Sequence, residues 1–300
     1  MIDLARLNLL EQLRRRGSMA AVALAVGYSP SAVSQQLAAL QREVGTVLLE
    51  RVGRGVRLTP EGERLADHAR AILDEMERAE ADLAEGGGTP RGQVLLVSFA
   101  SGASRLVLPA LGQARARYPE LAPHLRVSEP PAALEALLRA ECDVALAYDY
   151  TLVPLERDPL LAYTPLRDEE VVLATDGSGG MGPADLHAFA HADWIVGADE
   201  TADHDLVVRA CAEAGFAPRL GHACDDFRVI AGLVTSGLGV ALVPAEAYPW
   251  ESSGVTVRPV RGTRLRRRTF MAVRPAASGR PSVRVITDLI RGEARAPRPA

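Results

Sequence analysis

Two clusters of side chains carry the chemistry that can be read from this chain. In a helix running on from Ser29, the small or uncharged residues Ser31, Ser34, Gln35, Ala38 and Gln41 share one face, and Val33, Leu37, Leu40 and Val44 share the other. Hydroxyls and carboxamides hydrogen-bond base edges or phosphates, and small side chains let a helix sit deep in a major groove. Ser29 offers a hydroxyl N-cap and Pro30 suits the first helical position, so both belong to the same candidate surface. The second cluster is Arg51, Arg54 and Arg57, every third residue through a short strand, a glycine turn and a second strand. Such a ribbon suits phosphate tracking. Residues 1–58 hold eight arginines against four acids, in a chain whose formal net charge is −4. The positive charge is therefore local, as a nucleic-acid footprint is.

Helices and a hairpin must present these side chains. Leu4 to Arg16 is expected to be a first helix, with Leu4, Leu7, Leu10 and Leu13 as its apolar stripe. Arg14, Arg15 and Arg16 fall in its last turn, where cations suit the helix C-terminus; a solvated end is expected there. Ala20, Ala21, Leu24 and Ala25 are spaced for a small second helix that packs this face on a neighbour, and Gly27 ends it. With the helix from Pro30 this makes a helix-turn-helix. Thr59, Pro60 and Glu61 then cap a long helix reaching about Glu85. Leu65, Ala69, Ile72, Met76, Ala79 and Leu83 alternate four and three apart along it, the seam of a coiled coil that wants a second copy of itself. Residues 59–89 carry nine acids and three arginines, so the exposed faces of that helix are acidic.

A glycine-rich stretch, Gly86 to Gly92, reads as a linker, and beyond it strands alternate with helices. Strands are expected at Gln93–Phe99, Leu125–Glu129, Val144–Tyr148, Val171–Ala174, Trp194–Gly197, Gly239–Val243, Val255–Val260 and Thr269–Val273. Helices are expected near Arg105–Tyr118, Ala132–Ala140, Ala184–Ala190, Asp203–Ala214, Phe227–Ser236 and Ser282–Ile290. This alternation argues for a parallel sheet. Ligands of open α/β sheets bind beyond the carboxyl ends of the strands, near helix N-termini. Three loops qualify: Ser101, Gly102 and Ser104; Thr201 and Asp203; and Asp225, Asp226 and Phe227. Tyr148 and Asp149 end a strand that closes on the same cleft.

The run Ala20-Ala21, Leu24-Ala25, Ser29, Ala32-Val33-Ser34, Leu40, Glu43, Gly45, Leu48-Leu49, Arg51, Arg57-Leu58-Thr59 and Gly62 resembles the amino-terminal domain of LysR-type transcriptional regulators. Pro30 stands where that family often has Gln, Ser31 where it often has Pro, and Leu49 where Phe is usual. Further on, Arg228–Pro244 resembles the helix-glycine-strand signature of the family's effector domain, a relative of periplasmic ligand-binding proteins, and Asp143–Leu146 matches as well. The resemblance implies an α+β multidomain chain. A winged helix-turn-helix DNA-binding domain would occupy residues 1–58, a linker and dimerisation helix 59–86 and a hinge 87–92. A two-lobed α/β effector-binding domain would occupy 93–300, with lobe I at about 93–163 and 267–300 and lobe II at about 167–263. It also implies double-stranded DNA and a small-molecule effector as partners, a homodimer or homotetramer, RNA polymerase as a candidate further partner, and a cytoplasmic site of action.

Other chemistries find less support. All 34 basic residues are arginines. Without lysine there is no P-loop in the Gly177–Gly182 cluster and no Schiff base, and no cofactor is expected. No Gly-x-Ser-x-Gly elbow appears. His187 and His191, with His204, His222 and Cys224 downstream, show no metal-ligand spacing, so no metal is expected. Cys142, Cys211 and Cys224 form no disulfide framework, although Cys211 and Cys224 could make a redox switch. No secretory signal or membrane span is expected. The rival readings are a solute-binding protein and an α/β enzyme with a helical dimerisation arm.

Overall fold

Side-chain caps set the helix ends at the start of the chain. In a computed structural model describing residues 2–53, 55–85, 90–177, 180 and 182–296, α1 (Leu4–Arg16) opens with the Asp3 carboxylate accepting the Ala5 and Arg6 N–H groups. Ser18 caps α2 (Met19–Val26) through the Ala21 N–H, and Ser29 caps α3 (Pro30–Val44) through that of Ala32. Gly27, at φ 70°, makes the left-handed turn between α2 and α3. A hairpin follows, β1 (Leu49–Val52) antiparallel to β2 (Gly55–Leu58), and then the long α4 (Pro60–Glu85). Arg54, hinge residues 86–89, and residues 178, 179 and 181 of the glycine cluster lie outside the described residues.

The core of this first unit is leucine-rich. Leu7, Leu9, Leu10 and Leu13 of α1 meet Val33, Leu37 and Leu40 of α3, with Leu48, Leu58, Ala66 and Ala69 closing the far side. Leu4, assigned to the α1 stripe, is exposed, and Leu9 is buried in addition. The expected face of α2 is corrected: Val22 and Ala23 are buried, whereas Ala20 and Ala25 are exposed and Leu24 is 88% exposed. Arg14 and Arg15 do not end in solvent either. Both reach the buried Glu11, at 2.8 and 2.6 Å, while Arg14 also takes Asp67 of α4 at 2.5 Å and Arg70 of α4 lies 3.8 Å from Glu11. Burial still pushes the Glu11 carboxyl up to about 7.

Thr59 fixes the start of α4. Its Oγ1 donates to the Val47 carbonyl at 2.8 Å and accepts the Gly62 N–H at 3.1 Å. A Cβ on Gly62 would lie 2.2 Å from the Leu48 carbonyl oxygen, so only glycine permits this close approach. Along the expected seam, Leu65 is half-buried and Ala69 buried within the unit, whereas Ile72, Met76 and Ala79 are exposed. The Leu83 side chain lies outside those described.

The second unit begins near Pro90. In chain order it comprises β3 (Gly92–Ser98), α5 (Ala100–Gly102), a π-helical turn (Ala103–Val107), α6 (Leu108–Arg117), β4 (Leu121–Val127), α7 (Pro130–Leu138) and β5 (Val144–Tyr150). The 14-residue β6 (Ala162–Thr175) leads to β7 (Asp193–Val196), α8 (Ala202–Glu213), β8 (Arg219–Ala223), α9 (Phe227–Thr235) and β9 (Val240–Pro244). β10 (Thr256–Pro259), β11 (Arg266–Val273) and α10 (Pro281–Arg295) complete it. Strand order is β4-β3-β5-β11-β6-β9-β7-β8, with β10 also on β6. The expected parallel sheet is mixed. Only the β3/β4, β3/β5, β7/β8 and β7/β9 pairs are parallel, because β6 and β11 pass between the lobes without an intervening helix and pair antiparallel. β8 has no counterpart among the expected strands, and the helix expected near 184–190 is a single 3-10 turn, Leu186–Phe189. Among the described residues, no helix is long and apolar enough to cross a membrane.

Candidate functional site

The outer face of α3 is the first candidate surface. Val33, Leu37 and Leu40 turn inward, and Ser31, Ser34, Gln35 and Ala38 remain exposed. Ser29 and Pro30 are also exposed at the first turn, where the Ser29 and Ser31 hydroxyls lie 2.9 Å apart. Gln41 leaves this set. Its Oε1 accepts the Leu48 and Leu49 N–H groups at 2.8 and 3.1 Å, so it ties the start of the hairpin to α3. Arg6 of α1 holds the same helix through Gln36, at 2.9 Å, and Glu43.

The arginine ribbon divides between two faces. Glu50 pairs with Arg57 across the hairpin and Arg51 with Val56, so Arg51 and Arg57 project from opposite sides. A three-residue spacing cannot keep one face in a structure whose side chains alternate every residue. Arg57 is ion-paired to Glu50 at 2.6 Å, whereas Arg51 is exposed with no ion-pair partner among the described residues.

A second surface lies in the other unit, where a cleft of about 500 Å³ opens between the lobes. Of the ten residues expected there, Ser101, Ser104, Tyr148, Asp203, Asp225, Asp226 and Phe227 line it. Gly102, Asp149 and Thr201 do not. Gly102 is buried against the Phe99 ring, which a Cβ would meet at 2.7 Å. Asp149 points to the other side of β5 from Tyr148 and Tyr150, where it accepts Arg268 Nε at 2.7 Å. Thr201 serves the backbone, capping α8 through the His204 N–H and donating to the Ala198 carbonyl. Gly197 sits behind these loops, and a Cβ there would meet Thr201 Oγ1 at 2.5 Å, Asp203 at 2.8 Å and Asp225 at 2.9 Å.

Long-range polar contacts organise the cleft. Asp203, on α8, accepts the Tyr150 hydroxyl at 2.7 Å and also that of Tyr148, which lies 2.9 Å from Glu129 Oε2. Burial, reinforced by Asp203, drives both tyrosine hydroxyls well above the ordinary phenol range, so they stay neutral donors. Arg267 of β11, 3% exposed, bonds Glu169 Oε1 of β6 through two nitrogens, at 2.7 and 3.0 Å, and Ser101 Oγ at 3.2 Å. Its guanidinium lies over the Phe99 and Tyr148 rings. Burial acts most strongly against its charge, but Glu169 together with Tyr150 and Asp203 outweighs burial and holds the guanidinium ionised. Glu129, Glu169 and Arg267 were not among the expected site residues. Cys224 also lines the cleft, while burial pushes the Cys142 and Cys211 thiols up to about 12, which makes them poor nucleophiles.

Known proteins share both halves of this architecture. Residues 4–63 match the bacterial regulatory helix-turn-helix protein family of lysR type, and residues 87–295 match the LysR substrate binding domain. The nitrogen assimilation regulatory protein nac of Escherichia coli K12 is 29% identical over 233 residues, covering 77% of this chain and 74% of that protein. A probable hydrogen peroxide-inducible genes activator of Mycobacterium avium is 34% identical over 245 residues, covering 80% and 76%. Among solved structures, a full-length OxyR variant of Pseudomonas aeruginosa superposes with a TM-score of 0.69 at 18% identity, over 97% of this chain and 95% of that one. With an exposed polar helix face in one unit, a cleft between two lobes in the other and a family match across both, the chain belongs to the LysR family of DNA-binding, effector-responsive transcriptional regulators.

Proposed function

We propose that α3 enters the major groove with Ser31, Ser34 and Gln35 toward base edges, that Ser29 and Pro30 seat its first turn, and that Arg51, Arg54 and Arg57 hold phosphates. The observation that carries this reading is the division of α3, whose apolar face is consumed by the core while its hydroxyls and carboxamide stay on the surface. Residues 1–58 act as the DNA-binding domain, 59–86 as the dimerisation helix, 87–92 as the hinge and 93–300 as the effector domain. The exposed Ile72 and Met76 support pairing of two chains through α4. Two such dimers form a tetramer on DNA, RNA polymerase is the further partner, and the protein works in the cytoplasm as a regulator rather than an enzyme. Ser101, Ser104, Tyr148, Asp203, Asp226 and Phe227 contact the effector, whose differential affinity for two arrangements of the assembly transmits the signal.

Titration of the full-length protein onto DNA from just upstream of its own gene, at two salt concentrations with footprinting, tests the reading. Salt-dependent protection over two or more major grooves on one face of the duplex is expected. Absence of binding even at low salt refutes it.

A further inference from the structure

The cleft carries more negative charge than its own groups can satisfy. Among the described residues it is lined by the carboxylates of Glu129, Asp203, Asp225 and Asp226, against the guanidinium groups of Arg228 and Arg267. The buried cation is already committed, Arg267 being bound to Glu169, while Arg228 is exposed at the rim, 3.9 Å from Asp226. The tyrosine protons fall short as well. Tyr148 has one proton, yet its oxygen is in hydrogen-bond reach of both Glu129 and Asp203, and the single proton of Tyr150 goes to the second oxygen of Asp203. Two phenol protons therefore face three carboxylate contacts, and one acceptor pair is left without a donor. Burial, with Asp203 and Asp225 adding to it, pushes the Glu129 carboxyl above the ordinary range, as expected of a group short of a positive partner. Phe99, Tyr148, Phe227 and Tyr248 line the same space, and aromatic rings attract cations.

We propose that the effector is an organic cation, a small molecule bearing an ammonium or guanidinium group that Glu129 and Asp225 hold among the aromatic rings. This rests on the reading of the cleft as the effector site. An N–H donor with positive charge supplies the missing partner of the Glu129, Tyr148 and Asp203 group. A carboxylate in the same place meets further carboxylates, and the buried guanidinium beside them, Arg267, is already paired to Glu169.

Calorimetric titration of the full-length protein with benzylamine, putrescine and agmatine, beside benzyl alcohol, benzoate and succinate, tests the charge class. At least one amine is expected to bind about tenfold or more tightly than its neutral or anionic counterparts. Asp225→Asn, at an exposed position whose oxygen can still accept the Ala198 N–H, is expected to weaken that amine about tenfold, and Glu129→Gln similarly. Tighter binding of a carboxylate or of the alcohol overturns the proposal, as does failure of all three amines to bind or indifference of amine binding to both substitutions. Footprinting without ligand is a separate readout. Its failure strikes the proposed DNA reading, whereas failure of the amines leaves that reading intact.

Discussion

Replacing Glu169 by Leu breaks the buried ion pair at the base of the cleft, together with the bond that Glu169 Oε2 accepts from the Glu246 N–H at 3.1 Å. Glu169 and Arg267 are each 4% exposed as side chains, and Glu169 Oε1 takes two guanidinium nitrogens at 2.7 and 3.0 Å. Without Glu169, Arg267 keeps, among the described residues, Ser101 Oγ at 3.2 Å, two aromatic rings and the field of the Asp203 carboxylate, too little to compensate a charge removed from water. Breaking such a pair costs about 3–5 kcal/mol. In a unit of this size each kcal/mol moves the melting temperature by about 2–4 °C, so a fall of roughly 6–20 °C is expected. The molecule supplies its own probe, because Trp194 and Trp250, the only two tryptophans, are both buried in the second unit. Tryptophan fluorescence therefore follows that unit alone. The combined change Glu169→Leu with Arg267→Met is expected to recover most of the loss, since an apolar pair of similar volume leaves no orphaned charge. A single variant that costs less than about 1 kcal/mol, or a double variant no better than the single, refutes the argument.

Four other outcomes follow from the first unit. Gly62→Ala drives a Cβ into the Leu48 carbonyl and should destabilise this unit by about 1–3 kcal/mol, seen as an early loss of helical circular dichroism with fluorescence unchanged. Arg51→Ala should weaken binding to all DNA sequences and lower the salt slope by about one, whereas Glu50→Gln, by releasing Arg57, should strengthen binding and steepen the slope; opposite signs in a fluorescence-anisotropy salt series would contradict the assignment. Ser34→Ala and Gln35→Ala should instead alter the preferred sequence, at about 1–3 kcal/mol per lost base contact, as read by selection from a random duplex pool. Glu11, pushed up to about 7 from an ordinary 4.5, stabilises the fold below pH 4.5, and that contribution is lost as pH rises through 7. Helical melting of the first unit should therefore fall over that window, and less so in Glu11→Gln.

Legibility in the sequence tracked how far apart the interacting residues lie. The inner and outer faces of α3 could be read directly, because Val33, Leu37 and Leu40 among polar neighbours allow one helical register. The adjoining α2, MAAVALAV, is apolar all round, so periodicity says nothing, and only packing selects Val22 and Ala23 over Leu24. The arginine ribbon was legible as a hairpin but not as two faces until strand alternation was imposed on the three-residue spacing. Asp149 fails by the same rule, which was available in the sequence, since its neighbours Tyr148 and Tyr150 take the opposite side. Glu169 and Arg267 are 98 positions apart, and Asp203 is 53 from Tyr150. Pairings of that range carry no local signature. The turn residues and helix caps are local, and they carried most of what could be foreseen.

The continuity of β6 bears on how the two lobes communicate. Its residues 162–170 pair with β11, and from Val171 onward its partners are β9 and β10. At the exchange the Val171 N–H donates to the Leu265 carbonyl, and the Glu170 carbonyl accepts from Ala245. One unbroken strand thus belongs to both halves, and neither half can slide past the other without stripping a ladder of backbone hydrogen bonds. What remains soft is torsion. A strand gripped at each end resists shear more than twist, so a movement of one lobe against the other is expected as a rotation.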